Sequence, residues 1–275
     1  MAVITVLLGG LLAATLVRFA PGFGIDVHQL DTRLDQQSVE ARGQARAGER
    51  NILAFYWGYL TRAARGDLGT PHALGRPVAE LLRERLPVAL RWVGLGWVAG
   101  WVLALVLAFS AALLRHPAFD VIATSLSGVF LSLPSALLAL VFLFFEGPGP
   151  LAIGFVVFPQ VFRYVRNILS ETSAQPYVLT ARAKGVGDVR ILLCHVLPCA
   201  APPLLALLGV SAAMAFGASI PIEVICDSPG IGQLAWEAAL SRDLPLLVNL
   251  SVLVTVVTLL ANACSDVAIG WWAHS

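Results

Sequence analysis

The sequence predicts an all-α polytopic membrane protein of about six transmembrane helices, with a helical extracytoplasmic loop domain between the first and second and a short cytoplasmic helix between the fourth and fifth. Three observations predict it. Of the 275 residues 58% are hydrophobic and 13% charged, and the mean hydropathy of +0.80 is far outside the range of soluble domains. Six runs reach the roughly 20 mostly apolar residues that a spanning helix needs: near 2 to 20, 90 to 114, 119 to 145, 149 to 168, 191 to 220 and 244 to 271. The charges are also unevenly placed, with five Lys or Arg between Arg163 and Arg190, whereas the stretch from Pro221 to Asp243 carries Glu223, Asp227, Glu237 and Asp243 against Arg242 alone. The positive-inside rule puts the basic stretch in the cytoplasm, and with six helices both termini are cytoplasmic and both polar loops lie outside. The chain thus divides into a first helix at 1–20, an extracytoplasmic loop domain at 21–89 and a core at 90–275, which holds five helices and a cytoplasmic loop at about 169–190.

The first run has no Lys or Arg before it and Arg18 after it. That local bias opposes the assigned orientation, so either the later loops dominate or the chain starts upstream of Met1. A signal peptide fits poorly, because no basic segment precedes the run and no small-residue cleavage site follows it near Arg18 to Gly24. From Pro21 to Pro87 nine Arg and eight Asp or Glu leave almost no apolar run, so this segment is an aqueous loop. A Gln-, Arg- and Ala-rich connector from Gln36 to Arg50 leads to FYWGYLTRAARGDLG, which reads as a short helix ending near Gly66. Farther on, Val78, Leu81, Leu82 and Leu86 recur at near-helical spacing, with Glu80 and Glu84 four apart. They predict an amphipathic helix feeding the second span at Pro87.

In the second span Gly94, Gly96 and Gly100 follow no strand and stand among Trp, Val and Leu, so they do not form a dinucleotide fingerprint. Gly96 and Gly100 make a GxxxG pair, which lets another helix approach closely in lipid. Pro134 in the third span, Pro159 in the fourth and Pro198, Pro202 and Pro203 in the fifth each remove a backbone donor inside a helix. Such positions face protein or a water-filled cavity rather than lipid. Polar groups at membrane depth are Gln160, Asn249, Asn262 and Asp266. Asn262 and Asp266 are four apart on one face and could line a cavity or pair with a neighbouring subunit, although a capped helix end accounts for them too. Cys194, His195 and Cys199 invite a metal reading, but residues five apart on a helix point to different faces and no second ligand pair exists. Neither a metal, a cofactor nor a disulfide framework is expected. Seventeen Arg and one Lys nearly balance seventeen acids, and the net charge of +1 gives no sign of a nucleic-acid partner.

The basic island YVLTARAKGVGDVRILLCHVLP, from Tyr177 to Pro198, is the most informative stretch. Pro176 suits a first helical position, Tyr177 to Lys184 supplies about two turns, Gly185 ends them and Asp188 can cap the helix that enters the membrane. Tyr177, Ala181 and Lys184 share one face of this surface helix. Thr180, Ala181 and Ala183 offer little bulk to an approaching partner, while Arg182 and Lys184 offer charge. The patch suits insertion into a groove on another protein, and a solvated connector is the plainer alternative.

The wording TARAKG and the spacing from Gly185 to Leu197 and Pro198 resemble the EAA loop of ABC importer permeases of the dipeptide, oligopeptide and nickel family. GDLG at 66–69, RPVAELLRERLP at 76–87, and later Glu223, Pro229, Gly230, Gly232, Leu234, Arg242, Asp243 and Pro245 look like further landmarks of that family. In the EAA pattern the acidic position falls on Leu179 and the isoleucine on His195. An aromatic expected before the proline-glycine pair is replaced by Asp227 and Ser228, and the acidic-proline-arginine tail after the last helix is absent, the chain stopping at Ser275. The resemblance implies one of two membrane subunits of an importer in the cytoplasmic (inner) membrane. Each subunit would dock a cytoplasmic ATPase through a coupling helix, and an extracytoplasmic binding protein would deliver a peptide, a nickel chelate or another small polar solute. Tyr177, Thr180, Ala181, Arg182, Ala183, Lys184, Gly185, Leu197 and Pro198 would then couple to the ATPase. Glu223, Pro229, Gly230, Gly232, Asn262 and Asp266 would be candidates for the pathway or its gate. The chain carries no GxxxxGK(S/T) loop to cradle phosphates, so ATP hydrolysis would belong to the partners.

Three rival readings differ in class. An ion-coupled transporter needs ionisable groups near the bilayer centre or inverted repeats, and here no repeat is visible and Asp266 is the only plausible acid. A membrane hydrolase would need a nucleophile and base within reach, yet His195 belongs to the inner face and Glu223 to the outer. A membrane assembly subunit that anchors partners without transporting anything shares every feature above.

Overall fold

The structure is a computed structural model that describes residues 8–12, 15–16, 52–63, 65–71, 74–114 and 116–274. Among them secondary structure is helical throughout: α1 (Ile52–Ala63), α2 (Val78–Leu114), α3 (Pro117–Ser132), α4 (Ser135–Phe144), α5 (Gly149–Ser173), α6 (Pro176–Ala183), α7 (Asp188–Ile191) with a π turn (Leu192–Val196), α8 (Leu197–Ile225), α9 (Ile231–Leu240) and α10 (Leu244–His274). The chain forms two compact units, one of residues 1–88 with 229–257 and one of 89–228 with 258–275. The connector from Gln36 to Arg50 and most of the first predicted span lie outside the described residues, and 8–12 and 15–16 of that span are helical.

Among the described residues, three helical runs are long and apolar enough to cross a membrane: Val78–Leu114, Asp188–Ile225 and Leu244–Trp272. A fourth is the pair α3 and α4, bent by 99°. The bend falls at Pro134, where the ring forces the preceding Leu133 into extended backbone (φ −82°, ψ 128°) and so ends α3. The fourth predicted span, 149 to 168, is the first part of α5, and Gln160, Arg163 and Arg166 fall in the second half of that span. This helix is buried along much of its length, through Ile153, Val157, Phe158, Val161, Phe162 and Val165. Surrounded by protein, α5 does not need the uniformly apolar surface of a lipid-facing helix. The amphipathic segment and the second span form a single helix, α2, with Pro87 inside it.

In the larger unit, α2 and α5 touch backbone to backbone. A Cβ on Gly96 would lie 2.4 Å from the Pro150 carbonyl oxygen, and one on Gly100 2.9 Å from that of Gly154. The GxxxG pair is thus the surface on which α5 lies. One residue on from each glycine, Trp97 and Trp101 both donate their indole N–H to Ser211 Oγ at 2.9 Å, tying α2 to α8. Phe130 of α3 packs on Phe155 and Phe158 of α5, with centroids 5.1 and 5.5 Å apart.

In the smaller unit, Tyr56 and Tyr59 of α1 pack on Leu244 and Val248 of α10. Asn249, predicted as a polar group at membrane depth, is a clip in this unit. It accepts from the Tyr59 hydroxyl and donates to the carbonyls of Leu68 and Pro245. Asp243 caps α10 by accepting the Leu246 N–H at 3.1 Å. Arg76 reaches Glu80 at 2.5 Å and Glu84 at 2.6 Å, and both carboxylates hold its guanidinium above its ordinary pKa.

Candidate functional site

The surface helix α6 is defined by its two ends. Pro176 occupies the first helical position, where its missing N–H costs no hydrogen bond. At the other end Gly185 takes φ +77°, its N–H meets the Arg182 carbonyl at 2.9 Å and the Val186 N–H meets the Ala181 carbonyl at 3.2 Å. These two bonds form a Schellman cap, whose left-handed residue is glycine because a side chain there would be strained. A Cβ at Gly185 would meet nothing within 4 Å, so backbone conformation and not space demands the glycine.

Val178 and Ala181 are the buried side of α6, 0% and 6% exposed. Ala181 therefore does not share an open face with Tyr177 and Lys184 as the spacing predicted: it seats the helix. The outward side is Tyr177, Leu179, Thr180, Arg182, Ala183 and Lys184, all exposed. Leu179, where the EAA pattern has an acid, is 57% exposed. The Tyr177 hydroxyl titrates above its ordinary value, chiefly through a hydrogen bond with Cys199 of α8.

After α6 the chain turns into α7. Gly187, not Asp188, is the N-cap; Asp188 is the first helical residue, and its Oδ1 lies 3.7 Å from Arg182 Nε. The helix then widens into the π turn and continues through Leu197 and Pro198, both half-buried, into α8. The fifth span is not broken at Pro202 or Pro203, which lie inside continuous helix. Its irregularity precedes Pro198. A proline ring collides with the carbonyl four residues back in an α-helix, here Cys194, and a wider turn relieves that contact.

Of the pathway candidates in the larger unit, Glu223 is fully buried near the end of α8. Asn262 and Asp266 part company. A Cβ on Gly209 of α8 would come within 2.6 Å of Asn262 Oδ1 and 2.9 Å of Ser265 Oγ, so Asn262 packs on α8, whereas Asp266 is exposed. In the smaller unit Gly230 is the N-cap of α9, Gly232 is buried in it and Pro229 is exposed. Sequence reasoning missed Gly209, Ser211 and the ion pair of Asp120 with Arg166, which joins α3 to α5 through two hydrogen bonds. Arg166 stood in the basic stretch used to orient the chain, and Asp120 heads the third predicted span; nothing in their spacing paired them.

Residues 102–274 match the family described as binding-protein-dependent transport system inner membrane component. The chain is 26% identical to the oligopeptide transport system permease protein of Mycobacterium bovis, covering 87% of this chain and 85% of that protein. It is 24% identical to the dipeptide transport system permease protein of Lactococcus lactis subsp. cremoris, covering 86% and 84%. Among solved structures, a chain of the MetNI methionine ABC transporter in an inward-facing conformation superposes with a TM-score of 0.64 at 17% identity, covering 70% of this chain and 97% of that one.

Proposed function

This chain belongs to the binding-protein-dependent transport system inner membrane component family, and we propose that, as the permease of an ATP-driven importer, it forms a path for peptides together with a second permease subunit. Peptides are the cargo named for both permease relatives above. The ATPases and the extracytoplasmic binding protein are the partners the family implies; ATP hydrolysis belongs to the former. The basic stretch, through the positive-inside rule, supports a cytoplasmic side for α6 and both termini.

The observation that carries this reading is the construction of α6. A two-turn helix is seated by Val178 and Ala181, fixed by proline at one end and a Schellman cap at the other, and turns a small, basic, aromatic-anchored surface outward. In this reading the ATPases close on ATP and press on Tyr177, Thr180, Ala183 and Lys184. The load passes through Gly185 and Asp188 into the π turn, Leu197 and Pro198, and along α8 to Glu223; Pro229, Gly230 and Gly232, which follow in the chain, are the gate candidates of the smaller unit. Asn262, packed on α8, moves with it, and Asp266 is an exposed neighbour on the same helix. Alternating access is then a two-state equilibrium biased through α6.

The test is peptide-stimulated ATPase activity of the reconstituted complex. Lys184→Glu is expected to remove stimulation while the chain still inserts; stimulation equal to wild type would overturn the coupling role.

A further inference from the structure

Beside Arg182 of α6, the ends of α2, α3, α5 and α7 form a cleft of about 310 Å³ within the larger unit. Its floor is apolar, built from small or aliphatic side chains such as Ala108, Ala112, Leu169 and Ile191. Its rim is polar, with His116, Ser170, Ser173 and the loose Arg182–Asp188 pair beside the Asp120–Arg166 pair. The rim groups are not equally committed. Asp120 and Arg166 satisfy each other with two hydrogen bonds. Arg182 stands 3.7 Å from Asp188, an ion pair too long to be a hydrogen bond. Arg182 lines the cleft together with Ser170, Ser173 and His116.

A guanidinium, two hydroxyls and an imidazole over an apolar floor match an oxyanion that carries an apolar body. The surroundings add positive charge: Arg163, Arg166, Arg182, Lys184 and Arg190 outnumber Glu171 and Asp188 between 163 and 190. Beside the rim, Val121 and Ile122 of α3 are exposed by 62% and 65% and continue the apolar surface away from it. Basic pockets between membrane helices at the cytoplasmic surface are where anionic lipid headgroups bind.

We propose that this cleft binds the phosphate of an anionic phospholipid, with Arg182, Ser170, Ser173 and His116 around the phosphate and the glycerol and upper acyl chain on the Ala108–Ala112 floor. A free phosphate would use the rim and leave the floor unmatched. The inference rests on the membrane orientation of the permease reading and on nothing about its cargo. Because Arg182 belongs to both α6 and the cleft, a lipid bound there holds one side chain of the coupling helix.

The experiment uses the full chain copurified with its ATPases, stripped of lipid in detergent and titrated with phosphatidylglycerol, phosphatidylcholine or inorganic phosphate. Bound lipid is counted by native mass spectrometry, and the unfolding temperature is followed alongside. Phosphatidylglycerol is expected to bind one per permease and to raise the unfolding temperature, while the other two do neither. Ser170→Ala with Ser173→Ala should raise the apparent dissociation constant about tenfold, as loss of hydrogen bonds to a charged phosphate does. Ala112→Leu, which fills the floor, should abolish lipid binding. Equal binding of phosphatidylcholine, equal protection by inorganic phosphate, or wild-type affinity in the serine double variant overturns the proposal. Peptide-stimulated ATPase activity on the same samples keeps the two readings apart: its absence in the wild type counts against the peptide importer whatever the lipid does.

Discussion

Tyr59 donates its phenolic hydrogen to Oδ1 of Asn249 over 3.2 Å, joining residues 190 positions apart. The amide nitrogen of Asn249 donates in turn to the carbonyls of Leu68 and Pro245, so one buried side chain fastens α1 and the loop after it to α10. Removing it strands three partners. Asn249→Ala is expected to destabilise the smaller unit by about 2–3 kcal/mol and Tyr59→Phe by about 1 kcal/mol. Limited proteolysis between Ala63 and Val78 reads this directly; equal cleavage of wild type and Asn249→Ala would contradict the clip.

The same tyrosine predicts a response to alkali. Burial, then the neighbouring Tyr56, pushes Tyr59 up to about 12 from its ordinary value of 10. A group whose folded pKa is raised contributes stability below its unfolded pKa and loses it as pH rises through the folded value. The smaller unit should therefore weaken between pH 10 and about 12. Absorbance titration of tyrosinate should show a late component that Tyr59→Phe removes.

Gly185 should tolerate size but not handedness. At φ +77° with open space around it, alanine is strained by about 1–2 kcal/mol, asparagine less and valine more. Peptide-stimulated ATPase activity should fall in the order Asn, Ala, Val. Equal losses for all three would mean that surface shape, not the cap, is what matters.

Ser211 accepts from two tryptophans at once, so Ser211→Ala leaves two indole N–H groups without an acceptor between α2 and α8. The unfolding temperature should fall by more than for the single variant Trp97→Phe, by a free energy of about 2–4 kcal/mol. A shift no larger than that of Trp97→Phe would show that the indoles find other acceptors.

Gly96→Leu forces a side chain into the Pro150 carbonyl, which a Cβ alone would approach to 2.4 Å. Membrane insertion should survive, because α2 stays apolar. Packing against α5 should not, and crosslinking between cysteines placed on α2 and α5 should drop sharply. Undiminished crosslinking would argue against this contact.

How much of this was legible in the sequence depends on the range over which each feature is determined. Pro176 and Gly185 act on their own backbone, and the ends of α6 stand where those residues predicted them. The GxxxG pair announced a close helix contact but not that α5 would fill it. Ala181 was assigned to the wrong side because eight residues fix a helix but not its rotation on the bundle, which Val178 decides by burial. Asn249 read as a membrane polar group since its partners lie as far as 181 and 190 residues away. The π turn was invisible: one surplus residue leaves no mark on apolar spacing, and Pro198 signalled a break where the chain instead widens.

That surplus residue stands on one side of Pro198. A wide turn migrates along a helix when successive N–H groups exchange acceptors, without any net loss of bonds. If it moved past Pro198 toward Ile225, the proline ring would return to a tight turn against the Cys194 carbonyl. Pro198 thus favours the wide turn where it stands, on the side of Asp188 and α6. Were α6 to couple to the ATPases as proposed, a push from it would meet the slack of this turn before it reached α8.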